Sequence, residues 1–362
     1  MQETGKVIIA MSGGVDSSVA ACLMKEKGYS CIGVTMKLFH NEDIGLSREH
    51  TCCSLDDIED ARSVAYLLDI PHFVFNFSGC FRECVIDHFV SAYENGRTPN
   101  PCIDCNRYPK FSKLFQRAAE LECEYVVTGH YARIEYDAAA DRYLLKRALD
   151  IAKDQSYFLY TMTQQQLRHT LFPLGALTKT EVREIAERHG FVNARKHDSQ
   201  DICFVTNGKY TDFIEQYTGK TYPPGAFVDL AGNFLGTHKG VIHYTVGQRR
   251  GLQLSAEHSW YVHSIEPADN RIVLSTGSEL YTQTVIARDL NMISVPFLDG
   301  EKRLTAKVRS RQTEQWTTVC QTDADTLEIH FDIPQRAATR GQAVVLYDGD
   351  TVVGGGTIEQ TI

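Results

Sequence analysis

The sequence predicts an α/β fold: a doubly wound, mostly parallel sheet, followed by a small β-rich connector and a C-terminal antiparallel β-barrel. Three observations lead there. Over the first two hundred residues, short apolar runs alternate with amphipathic helical stretches, the pattern of strand–helix–strand units. Near Thr218–Gly225, Gly, Lys and Pro-Pro make a linker. Beyond it lie short alternating runs broken by turn residues, with Asp348-Gly349 a hairpin signal, the texture of an all-β region. With 362 residues and roughly 150 per domain, two or three domains are expected. The breaks divide the chain at 1–217, 218–284 and 285–362.

Element by element, Val7–Met11 is a short buried-strand run. Asp16–Lys27 has helical periodicity and stops at Gly28, a C-terminal cap. Cys31–Met36 is a second strand, Leu55–Leu68 a helix with Asp and Glu outward, and Phe73–Phe77 a third strand. A helix near Phe81–Tyr93, a Pro-rich loop, a helix near Phe111–Leu121 and a strand at Tyr125–Thr128 follow. Thr178–Glu181 reads as a capping box opening a helix that stops at Gly190. In the last 140 residues, strands are expected at Trp260–Ile265, Arg271–Leu274, Leu304–Arg309, Thr317–Cys320, Leu327–Phe331 and Ala343–Tyr347.

Composition narrows the function. Hydrophobic residues at 43% and charged ones at 23% are ordinary for a globular chain and exclude a disordered or fibrous one. No apolar run approaches the ~18 residues that cross a bilayer, and Val7–Met11 is too short for a signal-peptide core. The expected compartment is therefore the cytoplasm, with no membrane partner. The 37 basic against 46 acidic residues give −9, which argues against a global electrostatic grip on nucleic acid but leaves room for a local patch. Eleven cysteines point to thiol, metal or redox chemistry in a reducing compartment rather than to structural disulfides.

The sharpest motif is Ser12-Gly13-Gly14-Val15-Asp16-Ser17-Ser18, between a strand and a helix. Glycines let the backbone approach an anion, and the following helix offers its N–H groups and the positive end of its dipole. Ser12, Ser17 and Ser18 add hydroxyls, and Asp16 offers a carboxylate to Mg2+. No Gly-Lys-Ser/Thr follows, so this is not a Walker A loop. The stretch Pro99-Asn100-Pro101-Cys102-Ile103-Asp104-Cys105-Asn106 reads as a proline-stiffened loop whose Cys-x-x-Cys spacing suits a redox pair or a shared metal. In Ser199–Phe204, Cys203 taken alone reads as a small buried hydrophobe. Cys22, Cys31, Cys80, Cys84, Cys123 and Cys320 fall on apolar faces and read as core, while Cys52-Cys53 is ambiguous. Lys302, Arg303, Lys307, Arg309 and Arg311 fall within ten residues without an acid, and alternation puts the last three on one strand face.

These residues carry a resemblance. The glycine loop, Asn100–Asn106, Thr128-Gly129-His130-Tyr131-Ala132-Arg133, Lys153–Leu159, Ser199–Phe204 and His243–Leu252 occur in this order. Together they resemble the bacterial tRNA-specific 2-thiouridylases, PP-loop ATP pyrophosphatases, over essentially the whole chain. The resemblance implies ATP-dependent 2-thiolation of the wobble uridine: adenylation of the carbon-2 oxygen, then sulfur transfer from a cysteine persulfide. It implies ATP contacts at Ala10, Met11, Ser12, Gly13, Gly14, Val15, Asp16 and Ser17, with Met36 and Gly129 on the adenine side. It makes Cys203 the persulfide carrier and Cys105 its partner nucleophile, the two closing a transient disulfide. It places tRNA contacts at Asn100, Pro101, Cys102, His130, Lys153, Asp154, Gln155, Arg309, Ser310 and Gln342. The implied partners are the anticodon loops of Lys, Glu and Gln acceptors and an upstream sulfur donor, a cysteine desulfurase or relay protein.

The commoner family pattern has an Asp where this chain has Cys102. The substitution creates a Cys102/Cys105/Cys203 trio able to hold three irons of a [4Fe–4S] cluster, an alternative to the metal-free persulfide route. Two rival functions are an adenylating ligase acting on a small molecule, which leaves Cys105, Cys203 and the basic β-region idle, and a non-catalytic iron–sulfur RNA-binding protein, which leaves the PP-loop idle.

Overall fold

The structure, a computed structural model, describes residues 5–39, 55–196, 202–205, 209–254 and 258–362. In chain order these form β1 (Lys6–Ala10), α1 (Val15–Glu26), β2 (Ser30–Lys37), α2 (Leu55–Leu67), β3 (His72–Asn76), α3 (Ser78–Phe81), α4 (Asp87–Glu94), α5 (Pro101–Cys105), α6 (Leu114–Glu120) and β4 (Tyr125–Val127). Next come β5 (Ala132–Asp137), β6 (Arg142–Arg147), α7 (Gln164–Arg168), β7 (Thr170–Leu171), α8 (Lys179–Arg188) and α9 (Tyr210–Thr218). The remainder is β: β8 (Gly225–Val228), β9 (Phe234–His238), β10 (Tyr261–Glu266), β11 (Arg271–Ser275), β12 (Tyr281–Met292), β13 (Lys302–Lys307), β14 (Gln315–Asp323), β15 (Thr326–Arg336), β16 (Ala343–Asp348) and β17 (Thr351–Thr361).

The chain divides into two compact units, 1–85 with 102–208 and 350–352, and 86–101 with 209–349 and 353–362. In the first unit, five strands form a sheet in the order β3-β2-β1-β4-β7, every pairing parallel. Val7, Ile8 and Ile9 of the central β1 are fully buried, and their burial stabilises the unit by roughly 1.5–3 kcal/mol each. Val15, Val19 and Cys22 of α1, Ala61 and Val64 of α2, and Val182 and Ala186 of α8 share one core with Val7, Ile9 and Val127 of this sheet. The Thr178–Glu181 capping box forms as expected, each side chain satisfying the other's backbone N–H. In the second unit, β10-β11-β8-β9 form a small sheet over Phe227, Tyr244, Val262 and Leu274. The strands β12-β15-β14-β13-β16-β17 close into a six-stranded barrel through a β12–β17 pairing. The expected α/β sheet, β-rich connector and antiparallel barrel are all present.

Several expectations fail for local reasons. The proline-stiffened loop at 99–106 is helical from Pro101, because a proline in the first turn loses no bond and brings a pre-set φ. Its helix runs on through a wide-turned stretch, Asn106–Lys113, into α6, so the expected helix at Phe111 starts ten residues earlier. The chain between β4 and α7 holds a hairpin, β5–β6, where strand–helix alternation suggested none. The basic strand ends at Lys307, so Arg309 and Arg311 lie in the following turn and share no strand face with it. The 217/218 boundary also shifts: α4 belongs with α9, since Tyr93 stacks on Tyr210 at 4.4 Å and Phe89 meets Phe213 at 6.5 Å. The 284/285 boundary falls inside β12, which is hydrogen-bonded along its length to β15 and β17. Of the cysteines expected in the core, Cys22 and Cys31 are buried but Cys80, Cys84, Cys123 and Cys320 are only half-buried. Cys52 and Cys53 lie outside the described residues, as do Ser199, Gln200 and Asp201.

Candidate active site

The site is built around the turn from β1 into α1. Ala10 and Met11 are buried beneath it, with Thr35 of β2 donating to the Met11 carbonyl at 2.7 Å. Met36, the next residue on β2, is half-buried. Gly14 is the N-cap of α1, and no side chain caps the helix there. The first-turn N–H groups of this 12-residue helix therefore converge with its positive dipole end, a ready phosphate site. Serines shape the turn from inside: Ser12 N–H donates to Ser17 Oγ at 3.2 Å, and the Ser17 and Ser18 hydroxyls donate to the Gly14 carbonyl at 2.9 and 3.1 Å. Thus Ser17 and Ser18, both buried, hold the loop's shape rather than offer hydroxyls to a ligand.

Two glycines are obligatory. Gly13 has φ +76°, and a Cβ there would stand 2.3 Å from the Asp57 carbonyl oxygen. Gly129, just after β4, passes so close over the first turn of α1 that its Cβ would be 2.8 Å from Ser17 N. Both lie at the carboxyl ends of parallel strands, where open α/β sheets bind ligands.

Distant residues complete the loop. Lys179, the first residue of α8, donates to both carboxylate oxygens of Asp16 at 2.7 and 2.8 Å, and the Tyr131 hydroxyl adds a third bond at 2.8 Å. Asn193 Nδ2 donates to Gly13 O and Ser18 Oγ, both at 2.9 Å. Lys196 joins Asp57 and Asp60, each at 2.6 Å. Sequence reasoning missed Lys179, Asn193 and Lys196, since nothing local ties a capping-box lysine to an aspartate 163 positions away. It also read Asp16 as a ligand for Mg2+. Here its two carboxylate oxygens accept from Lys179 and Tyr131, and no step is drawn through a magnesium ion.

The Lys153–Leu159 segment acts as a brace. Gln155 Oε1 accepts from Tyr131 N–H at 2.9 Å, and Asp154 accepts from Ala148 N–H at 3.1 Å and from the Ser156 hydroxyl at 2.8 Å. Phe158 O accepts from Asn106 Nδ2 at 3.0 Å, tying this segment to the residue after Cys105. Asp154 and Gln155 are thereby positioning groups within the fold, and Lys153 beside them is half-buried. His130 is buried between Phe111 and Phe172, its Nδ1 bonded to Thr128 Oγ1 at 2.7 Å. Burial, reinforced by the Lys110 charge, pushes its pKa well below the usual imidazole range, so it is a neutral, packed ring.

The thiols sit in different settings. Cys102 is exposed and Cys105 buried, one turn apart on α5. Burial raises the Cys105 pKa, with Lys110 opposing and Cys102 and Asp104 adding to the rise. Cys203 is half-buried in a short turn whose next residue, Phe204, packs against Phe81 at 5.8 Å. Among the described residues, Cys105 and Cys203 are not joined in a disulfide. Among the described residues, Cys102, Cys105 and Cys203 do not gather their sulfurs within 4.8 Å as a single-ion site would. No step is drawn through a metal here. In the second unit, Gln342 Nε2 donates to the carbonyls of Thr98 and Pro99, fixing the approach to the half-buried Asn100 and to Pro101. Arg309 Nη2 donates to Ala337 O and Thr339 Oγ1, with Ser310 next to it in the turn.

A parallel α/β domain with an anion-binding glycine turn, joined to two β modules, is a nucleotide-dependent enzyme class. The chain matches the family models for a tRNA methyl transferase HUP domain over 5–207, a tRNA methyl transferase PRC-barrel domain over 211–276 and an aminomethyltransferase beta-barrel domain over 282–358. It is 48% identical over 357 residues to a tRNA-specific 2-thiouridylase MnmA of Clostridioides difficile (strain 630), covering 99% of each chain. It is 49% identical over 363 residues to a tRNA-specific 2-thiouridylase MnmA 2 of Caldanaerobacter subterraneus subsp. tengcongensis, covering 100% of each. A third relative, a tRNA-specific 2-thiouridylase MnmA of Moorella thermoacetica, is 49% identical over 97% of this chain and 99% of its own. The chain belongs to the tRNA-specific 2-thiouridylase family.

Proposed function

We propose that this protein is an ATP-dependent tRNA-uridine 2-sulfurtransferase acting on the wobble uridine. The observation that carries the reading is the uncapped N-terminus of α1 between Gly13 and the close-packed Gly129, a cradle for the pyrophosphate of ATP. The family relationship supports a tRNA substrate, and the proposal adds Lys, Glu and Gln acceptors read through their anticodon loops. Residues 10–17, with Met36 and Gly129, bind ATP. Asn100, Pro101, Cys102, Arg309, Ser310 and Gln342 form the tRNA-contacting set, while His130, Lys153, Asp154 and Gln155 support it. A splayed-out uridine reaches the site because chemistry on a base requires it unstacked.

The uridine carbon-2 oxygen attacks the α-phosphate of ATP, and pyrophosphate leaves into the cradle, where α1's N–H groups stabilise its charge while Lys179, paired with Asp16, holds the turn. A cysteine desulfurase or relay protein has loaded Cys203 with a terminal sulfur. The Cys105 thiolate attacks the inner sulfur of this persulfide, releasing hydrosulfide. That hydrosulfide adds to carbon 2 and AMP departs with its oxygen. A Cys105–Cys203 disulfide remains, and an external dithiol reduces it before the next turnover. The chemistry belongs in the cytoplasm, where reductant and tRNA coexist.

The test combines tRNA-dependent AMP formation with mass spectrometry of the nucleosides. Cys105→Ser and Cys203→Ser are expected to abolish 2-thiouridine while AMP still forms, because adenylation needs neither thiol. Cys102→Ser is expected to lose activity only in part, in colourless protein. Iron-containing brown protein and joint failure of all three variants would establish the cluster alternative instead. AMP formation independent of tRNA would favour a small-molecule ligase.

A further inference from the structure

Helices α1 and α8 both begin at the nucleotide loop, where Asp16 and Lys179 join them. Toward their other ends a second set of side chains converges. Cys22 and Glu26, four apart on α1, share one helix face, and His189 is the C-cap of α8. One ligand atom from each, the Cys22 sulfur, a Glu26 oxygen and a His189 nitrogen, lies within 4.8 Å of the other two. His189 Nε2 is 3.3 Å from Glu26 Oε1. Two ligands held at ~2.0–2.1 Å by a tetrahedral zinc ion stand about 3.3 Å apart, so this pair is already at ligating separation. Phe191 stacks on the His189 ring at 5.8 Å and 29° and holds its plane.

The donor set selects the ion. A thiolate, an imidazole and a carboxylate suit a borderline-soft, tetrahedral cation and not Mg2+ or Ca2+, which take oxygen alone. Cys22 is 1% exposed, so its sulfur would bind from within the core, while Glu26 and His189 are open enough to admit an ion from solvent. The sulfur-transfer reaction gives none of the three a task.

We propose that Cys22, Glu26 and His189 form a site for a divalent transition metal of the zinc class, with three protein ligands and the fourth position open to water. Ligation expels the Cys22 thiol proton to solvent. The ion ties α1 to α8 far from the nucleotide, as the Lys179–Asp16 pair ties them beside it, and so stiffens the two helices that frame the PP-loop.

The full chain, stripped of metal by chelation, is titrated with Zn2+ alone against a chromophoric chelator, and separately with Co2+ as a spectroscopic probe. Wild-type protein is expected to hold one ion at this site, to show thiolate-to-cobalt charge transfer from it, and to gain thermal stability with zinc. Cys22→Ala and His189→Ala are each expected to weaken binding beyond the 10–100-fold that outer-shell partners cost, and to remove the zinc-dependent gain in Tm. His189 is half-exposed, so its replacement keeps the fold, and an unchanged metal-free Tm verifies this. Cys102→Ser and Cys105→Ser separate any ion held at those thiols. Equal zinc affinity and stoichiometry in wild type, Cys22→Ala and His189→Ala would overturn the site, as would wild-type protein that takes up no zinc.

Discussion

The PP-loop turn and the basic stretch at 302–311 are both conspicuous in the sequence, yet the structure treats them oppositely. In the turn, the glycines and the helix start keep the meaning their order suggests, because a positive φ at Gly13 and an exposed helix start are properties of the local backbone, while Asp16, Ser17 and Ser18 turn to bonds that hold the loop. In the basic stretch, five cations of like sign become individuals. Arg303 is clamped by Asp332, which stands on β15, and also lies 5.4 Å over the Trp316 ring. Arg309 instead donates to two uncharged oxygens across a turn. A motif made of backbone survives reading in one dimension; a motif made of charge depends on partners that the fold brings in.

The strongest blow to this contrast comes at Gly13. Gly13→Ala forces a non-glycine residue into the left-handed region and drives its Cβ into the Asp57 carbonyl, at a combined cost of roughly 2–6 kcal/mol. Adenylation is expected to fall to background while tRNA binding, followed by filter retention, persists. Near-normal AMP formation would show that the turn's meaning does not reside in its backbone. Lys179→Met comes next. Loss of Lys179 frees the Asp16 carboxylate and unties α8 from the loop, a misplacement that costs about 10² in rate, so AMP formation should drop on that scale with little change in tRNA affinity. A change confined to KM for ATP would reduce Lys179 to a ground-state contact.

That second residue marks the limit of what could be read in advance. The parallel sheet, α1 with its Gly28 stop, the α8 capping box and the barrel were legible because each is set by short-range periodicity, caps and turn residues. Of the site, the PP-loop was legible as a motif, whereas Cys203 taken alone reads as a small hydrophobe and the roles of Cys105 and Cys203 come from the family resemblance. Lys179, Asn193 and Lys196 were not legible, since their roles exist only where α8 and the residues after it meet Gly13 and Asp16. Asp154 and Gln155 were visible as part of a motif, but their bonds to Ala148 and Tyr131 make them braces. The helix at Pro101 was misread because two prolines look like a loop unless the second is recognised as a helix start.

A smaller effect separates the thiols from the loop. Burial holds the Cys105 thiol above its ordinary pKa, so near neutrality it is almost wholly protonated. The attacking species is the thiolate, and the single-turnover rate of sulfur release should climb about tenfold per pH unit from pH 7 until that raised pKa is reached. Adenylation, which uses no thiol, should not follow this slope. A sulfur-release rate flat from pH 7 to 9 would mean that tRNA or the persulfide lowers the Cys105 pKa before attack.

The least of the expected effects tests the basic stretch itself, by comparing two arginines six residues apart. Arg309, bonded to Ala337 O and Thr339 Oγ1, belongs to the proposed tRNA-contacting set, whereas the Arg303 guanidinium is paired with Asp332. Arg309→Ala should weaken tRNA binding a few-fold and reduce the slope of log K against log salt by about 0.7–0.9, one phosphate contact. Arg303→Ala should leave that slope unchanged, because the Arg303 guanidinium is already paired with Asp332. Both variants need their Tm measured, since Arg309 also holds the turn at 337–339 and its loss should cost stability through those bonds. If the two slopes fall equally, the stretch acts as a diffuse patch in which internal pairing does not matter. If neither falls, these residues serve the barrel alone, and the RNA is gripped elsewhere on the chain.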